Sequence, residues 1–153
     1  MKLTTLPQIL QERAEQTPQR LSQRHKHRGI WREYSFAQVR DQVRSLALGL
    51  HRLGVERGQT VAVIGENEPE HFWAELAAQA LGCKVVSMYP DLTADETQYL
   101  LEDSEAVCLF AQDQEQVDKG LAVLPRLPLL RHIVYWDATG MWSYQQPSLR
   151  TFE

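Results

Sequence analysis

The sequence predicts an α/β fold: a doubly wound, mainly parallel sheet with flanking helices, led by an N-terminal helix and a β-hairpin. Short apolar runs, several β-branched, recur at residues 61–64, 84–88, 106–110 and 132–135. Helical patterns with capping residues separate the first three runs and precede the last. Strands alternating with helices at this spacing imply right-handed crossovers and parallel pairing. The units share no self-similarity, so they form a fold and not a repeat array.

The elements follow in order. Leu6, Ile9, Leu10 and Ala14 mark a first helix, halted near Thr17 and Pro18. Residues 21–34 are basic and poorly apolar, and read as a hairpin turning at Arg28 and Gly29. Phe36, Val39, Val43, Leu46, Leu50 and Leu53 then recur three and four residues apart, with Arg40, Asp41 and Arg44 on the opposite face. Ser35 and Gln38 make a capping box for this helix, and Gly54 follows its last apolar residue.

Val61, Ala62, Val63 and Ile64, bounded by Gly58 and Gly65, suit a strand covered on both faces. Asn67 is expected to cap the next helix, with Pro69 where a missing N–H costs nothing and Glu70 closing an N-x-x-E box. Phe72, Trp73, Leu76, Ala77, Ala80 and Leu81 form the expected inner face, Gly82 ends it, and Lys84 to Met88 is the next strand. Thr93 and Glu96 cap a helix bearing Tyr99, Leu100 and Leu101, followed by the strand Ala106 to Phe110. Asp113 and Gln116 cap a third, with Val117, Leu121 and Leu124 inward and Pro125 and Pro128 as its stop; His132 to Tyr135 is the fourth strand.

The 153 residues fit one domain, which at this length buries roughly 68–70% of its unfolded surface. A formal charge of −4 gives no net attraction to nucleic acid or anionic lipid. The one basic run, Arg20 to Arg32, reads as a solvated hairpin in preference to a phosphate or membrane contact. Met1 to Ala14 hold no secretory pattern and no stretch approaches the roughly 20 apolar residues of a membrane span. The expected location is therefore cytoplasmic, with a membrane-peripheral position as the alternative. Cys83 and Cys108 sit beside apolar strand residues and are expected to be reduced and buried; a reactive Cys83, activated by Lys84, is the minor alternative.

The search for chemistry is mostly negative. Gly54 and Gly58 lack the Lys and Ser/Thr of a phosphate loop, and Gly65 stands alone, so the dinucleotide fingerprint is missing. Glu66, Glu68 and Glu70 are explained by a helix start, where carboxylates offset the dipole. His25 and His27 share a face of an extended strand and could hold zinc, but no third ligand of suitable spacing accompanies them. His71 and His132 read as packing or polar-tip residues, Ser35 as a cap, and no Gly-x-Ser-x-Gly elbow exists.

Set in order, these pieces resemble a known family. Tyr34-Ser35-Phe36-Ala37-Gln38-Val39, the long helix and the segment Leu53 to Ala62 are similar to the beginning of the adenylate-forming (AMP-binding) enzymes. Gly65-Glu66-Asn67-Glu68-Pro69-Glu70, the segment Leu81 to Pro90, Asp103-Ser104-Glu105-Ala106 and Leu127 to Asp137 bring the resemblance to the bacterial long-chain fatty acyl-CoA synthetases. It covers Thr5 to Phe152. Departures are Gln38 where the family usually has Glu, Glu68 where long-chain members favour Arg, His71 where they favour Trp, and Cys83-Lys84 where small apolar residues are usual.

The resemblance implies two-step chemistry: a carboxylate attacks the α-phosphate of ATP, giving acyl-adenylate and pyrophosphate, and coenzyme A then displaces AMP. It also implies that residues 1–153 are a partial N-terminal domain ending before the phosphate loop, with the adenine motif, ribose-binding Asp and catalytic Lys all downstream. No residue here is thus assigned a catalytic, cofactor-binding or metal role, and ATP, Mg²⁺ and coenzyme A are implied only for the full-length ligase. Expected partners are the C-terminal remainder and, through it, fatty acid, ATP and coenzyme A; a homodimer is left open and nucleic acid is not expected. The favoured reading is an inactive scaffolding segment of a fatty acid–CoA ligase. The alternatives are a free-standing interaction or dimerisation module and, more weakly, a small flavodoxin-like nucleotide-binding protein.

Overall fold

Five parallel strands run through the middle of the molecule, seen in a computed structural model that describes residues 5–152. The outermost residues of the domain expected over 1–153, including the first four of the Met1–Ala14 segment, lie outside that range. The chain forms α1 (Leu6–Gln16), β1 (Leu21–His27), β2 (Ile30–Ser35), α2 (Phe36–Arg52), β3 (Thr60–Ile64), α3 (Pro69–Ala80), β4 (Lys84–Met88), α4 (Ala94–Asp103), β5 (Ala106–Ala111), α5 (Gln114–Val123), β6 (His132–Tyr135) and β7 (Leu149–Thr151). The sheet order is β4-β3-β5-β6-β7, and β1 and β2 form a separate antiparallel hairpin. At the hairpin turn, Arg28 and Gly29 both have positive φ, 48° and 82°, as a two-residue turn joining His27 to Ile30 requires.

The strand alternation divides the core in two. Val61, Val63, Cys108, Phe110 and Val134 face α1, α2 and α3, while Ala62, Ile64, Leu109, Ala111 and Ile133 face α4 and α5. Both capping boxes expected on α2 and α4 form: Ser35 with Gln38, and Thr93 with Glu96. A third, between Thr5 and Gln8, starts α1.

Three local expectations are corrected. Glu68 and not Asn67 holds the position before helix α3, because a residue before proline is held extended; Glu68 has φ −90° and ψ 162°, makes no capping bond, and leaves Pro69 as the first helical residue. The buried face of α3 is His71, Trp73, Ala74, Ala77 and Ala78, with Phe72 42% exposed and Ala80 also outward. The three alanines allow close approach to α2 and the sheet. On α5, Asp113 accepts the Gln116 N–H as expected, but the Gln116 side chain is buried and accepts from Lys119 Nζ at 3.2 Å; the inner face is Val117, Gly120 and Val123, with Leu121 and Leu124 half-buried.

Strand β7 was not expected. It adds to β6 by parallel pairing of Leu149 to Ile133 and Thr151 to Tyr135, and seats Phe152 edge-on to Phe110 and Trp136. Both cysteines are buried and unpaired by disulfide. Burial pushes the Cys108 thiol up to about 12, and burial also raises Cys83, so the activation of Cys83 by Lys84 does not occur.

Candidate functional site

In a doubly wound sheet the ligand crevice opens at the carboxyl ends of neighbouring strands whose crossovers leave in opposite directions. Here those strands are β3 and β5, since β3 leads through α3 to β4 on one side and β5 through α5 to β6 on the other. The crevice is filled. The Glu66 N–H donates to Gln112 Oε1 at 2.7 Å, and a Cβ placed on Gly65 would lie 2.7 Å from Gln112 Cβ and 2.9 Å from Trp136 Cη2. Gly65, at φ 153°, permits this close packing and leaves no glycine-lined cradle for a pyrophosphate.

Polar chemistry instead flanks the start of α3 on two sides. Toward β4 lies a cavity of about 360 Å³ lined by Glu66, Asn67, His71, Glu75, Ser87 and Tyr89, among others. His71 Nε2 stands 3.6 Å from Glu75 Oε1, and Ser87 Oγ donates to the same oxygen. These contacts, that of His71 first, hold the Glu75 carboxyl below its ordinary range. His71 is buried and its Nδ1 has no hydrogen-bond partner. The carboxylate lies between hydroxyl and imidazole, so His71 is not placed to take the Ser87 proton, and the trio is not a nucleophilic triad.

Toward the hairpin, His25, His27 and Glu68 come together. One donor atom from each lies within 4.8 Å of the others, with His25 Nε2 at 4.0 Å from Glu68 Oε1. The two histidines alternate with Arg24 and Lys26 along β1, so imidazoles face the body while both cations lie over Trp31 on the other side, 4.3 Å and 5.8 Å from its ring centre. Glu68 makes no capping bond; its Oε2 accepts from Trp136 Nε1 at 3.0 Å. Nearby, burial raises Glu70, and a hydrogen bond from Thr139 holds Asp137 low.

Of the residues weighed in the sequence, Glu66, Glu68 and Glu70 do not converge on a common point, and His132 Nε2 donates to Leu53 O at 3.1 Å at the opposite end of the sheet. His25 and His27 do share a face. Glu68, the third donor, lies 43 positions from His25, and its place at a helix start gives no sequence sign of the pairing.

A family model described as AMP-binding enzyme matches residues 10–149. The chain belongs to the AMP-binding enzyme family. This AMP-binding chain is 30% identical over 112 residues to the long-chain-fatty-acid–CoA ligase FadD15 of Mycobacterium bovis, covering 73% of this chain and 19% of that protein. It is also 30% identical over 149 residues to the long-chain-fatty-acid–CoA ligase ACSBG2 of Xenopus laevis, covering 97% of this chain and 20% of the relative. The chain therefore spans about a fifth of the length of these relatives. Among solved structures, acetoacetyl-CoA synthetase from Streptomyces lividans superposes with a TM-score of 0.84 at 24% identity, covering 95% of this chain and 24% of that one. Coronafacic acid ligase from Pectobacterium brasiliense gives 0.85 at 14% identity, over 98% and 29%. At these identities the two structures establish the shared fold. No helix among the described residues is long and apolar enough to cross a membrane.

Proposed function

We propose that this chain is the N-terminal frame of a long-chain fatty acid–CoA ligase and forms no acyl-adenylate by itself. In the complete enzyme, a fatty carboxylate attacks the α-phosphorus of ATP, pyrophosphate leaves, and the coenzyme A thiol displaces AMP to give the thioester. The observation that carries the reading is the identity to ligases of that name over most of this chain, combined with its small share of their length. The residues at the switch point do not fit the phosphates of ATP. Gln112 and Trp136 occupy the crevice, and Glu66 and Glu68 at its mouth oppose a triphosphate, so no catalytic step is routed through them.

What these residues supply is shape: a five-stranded sheet with β3 and β5 buried on both faces, on which a nucleotide and acyl site is assembled by further chain. Two features support a frame awaiting cover. The outer strands β4 and β7 each pair on one side only among the described residues, and Tyr89 and Trp142 are 81% and 87% exposed.

The test is fatty-acid-dependent exchange of pyrophosphate into ATP. The isolated chain is expected to show none, whereas a chimera carrying it in place of the matching segment of the Mycobacterium bovis ligase is expected to form acyl-CoA. Exchange by the isolated chain, or a folded chimera without thioester formation, overturns the reading.

A further inference from the structure

We propose that His25, His27 and Glu68 bind a divalent transition-metal ion, zinc by the chemistry of the donors, and that this ion braces the hairpin against the start of α3. Two imidazoles and one carboxylate are a borderline-to-hard donor set suited to zinc, with a fourth position left to water. The convergence is set by the fold at each donor. On β1 the inward residues are Gln23, His25 and His27, and Gln23 Oε1 accepts from Trp73 Nε1 at 2.7 Å, which fixes the register of the strand over α3. The next two inward residues are thereby carried to the helix start, where Pro69 holds Glu68 extended.

Three features favour a metal over a plain ion pair. The His25–Glu68 separation of 4.0 Å is too long for a hydrogen bond, and among the described residues no hydrogen bond joins any two of the three donors. Glu68 is oriented through its other oxygen by Trp136, the outer-sphere support that ligating carboxylates generally have. Arg24 and Lys26 are turned to the opposite face, Arg28 lies near Asp137 and Arg32 near Glu70, so the cations around the cluster either face away or have a carboxylate near them. Ligands on one zinc at about 2.0–2.1 Å lie roughly 3.4 Å apart in a tetrahedron, so side-chain rotations of the order of 1 Å bring the three donors from their 4.8 Å spread to bonding positions.

The experiment titrates the untagged 153-residue chain with Zn²⁺ by calorimetry and with Co²⁺ by visible absorption. One equivalent is expected to bind, with the d–d bands of a low-symmetry Co²⁺ site and a rise in Tm on zinc addition. His25→Ala, His27→Ala and Glu68→Gln should each weaken binding at least tenfold, while His51→Ala, on an exposed residue at the end of α2, should leave it unchanged. Glu68→Gln guards against simple misfolding, since its amide oxygen still accepts from Trp136. No stoichiometric binding, or binding that survives Glu68→Gln and His27→Ala undiminished, overturns the proposal. Because the readouts are metal affinity and Tm, failure here leaves the ligase reading untouched.

Discussion

The turns β3→α3 and β5→α5 leave adjacent strands at the same edge of the sheet, and they spend their polar groups in opposite ways. After β5, Asp113 caps α5 in the ordinary manner, its carboxylate accepting the Gln116 N–H at 3.1 Å. After β3, Glu68 occupies the cap position with no local bond and sends its carboxylate to Trp136, 68 residues away, and toward His25. A turn that satisfies itself locally is mute. One that leaves its cap side chain unspent becomes a place where β1, α3 and the end of β6 meet, and the polar clusters of this molecule collect there.

The largest predicted effect tests how tightly the β3→α3 turn is closed. Gly65→Ala places a methyl 2.7 Å from Gln112 Cβ at a backbone angle of 153°, which favours glycine. The cost should be about 3 kcal/mol, a fall in Tm of roughly 6–12 °C. Gly120→Ala on α5 is the matched control. Its methyl meets side-chain ends and no backbone, Leu109 Cδ2 at 2.9 Å and Ile133 Cδ1 at 3.1 Å, and the cost of crowding these two core residues is partly offset by the roughly 1 kcal/mol that Ala gains over Gly in a helix. Thermal melts placing Gly65→Ala within 2 °C of the unmutated chain on the order of that control would break the comparison.

Next in size is the contrast between the caps. Asp113→Ala should cost about 1 kcal/mol, read by urea melts, because it strips the N-terminus of α5 of an acceptor. Glu68→Ala takes no cap bond from α3, so its global cost should be smaller and its signature different: faster amide exchange confined to β1 and β2, whose attachment it loosens. Equal global losses with no change in hairpin exchange would show that Glu68 is merely another cap.

These contrasts explain which parts of the molecule were legible beforehand. The strands β3 and β5 could be read because burial on both faces demands uninterrupted apolar runs, and α2 because seventeen residues give its stripe several turns. Strand β7 could not, since three residues carry no period and two of them are exposed. The start of α3 was misplaced by one because Asn67 is the better capping side chain; backbone restriction by Pro69 outweighs that preference. The inner face of α3 was misread for a related reason, because contact distance there is set by Ala74, Ala77 and Ala78, which ranking by hydrophobicity undervalues beside Phe72. The His25–His27–Glu68 cluster was half visible. Alternation put the two histidines together, but no local rule brings in a residue from the next layer.

The smallest effect concerns the other side of the same turn. Contacts from His71 and Ser87 hold the Glu75 carboxyl below its ordinary value of 4.5, so the folded state favours its ionised form. A depressed folded value contributes stability that is fully present above the unfolded value and is lost as pH falls through the folded one. Glu75 is partly open to solvent, with 23% of its side chain exposed, so screening limits this to a few tenths of a kcal/mol. Glu75→Gln should therefore be slightly less stable than the unmutated chain at neutral pH, and the two should converge as pH falls below the unfolded value and through the lower folded one. Asp137 gives the reference on the hairpin side, its carboxyl also held low but by Thr139 within its own turn. If Tm differences for Glu75→Gln stay constant down to pH 3, the carboxylate is not coupled to His71 and Ser87. The cavity beside β4 is then lined by the trio without being organised by it.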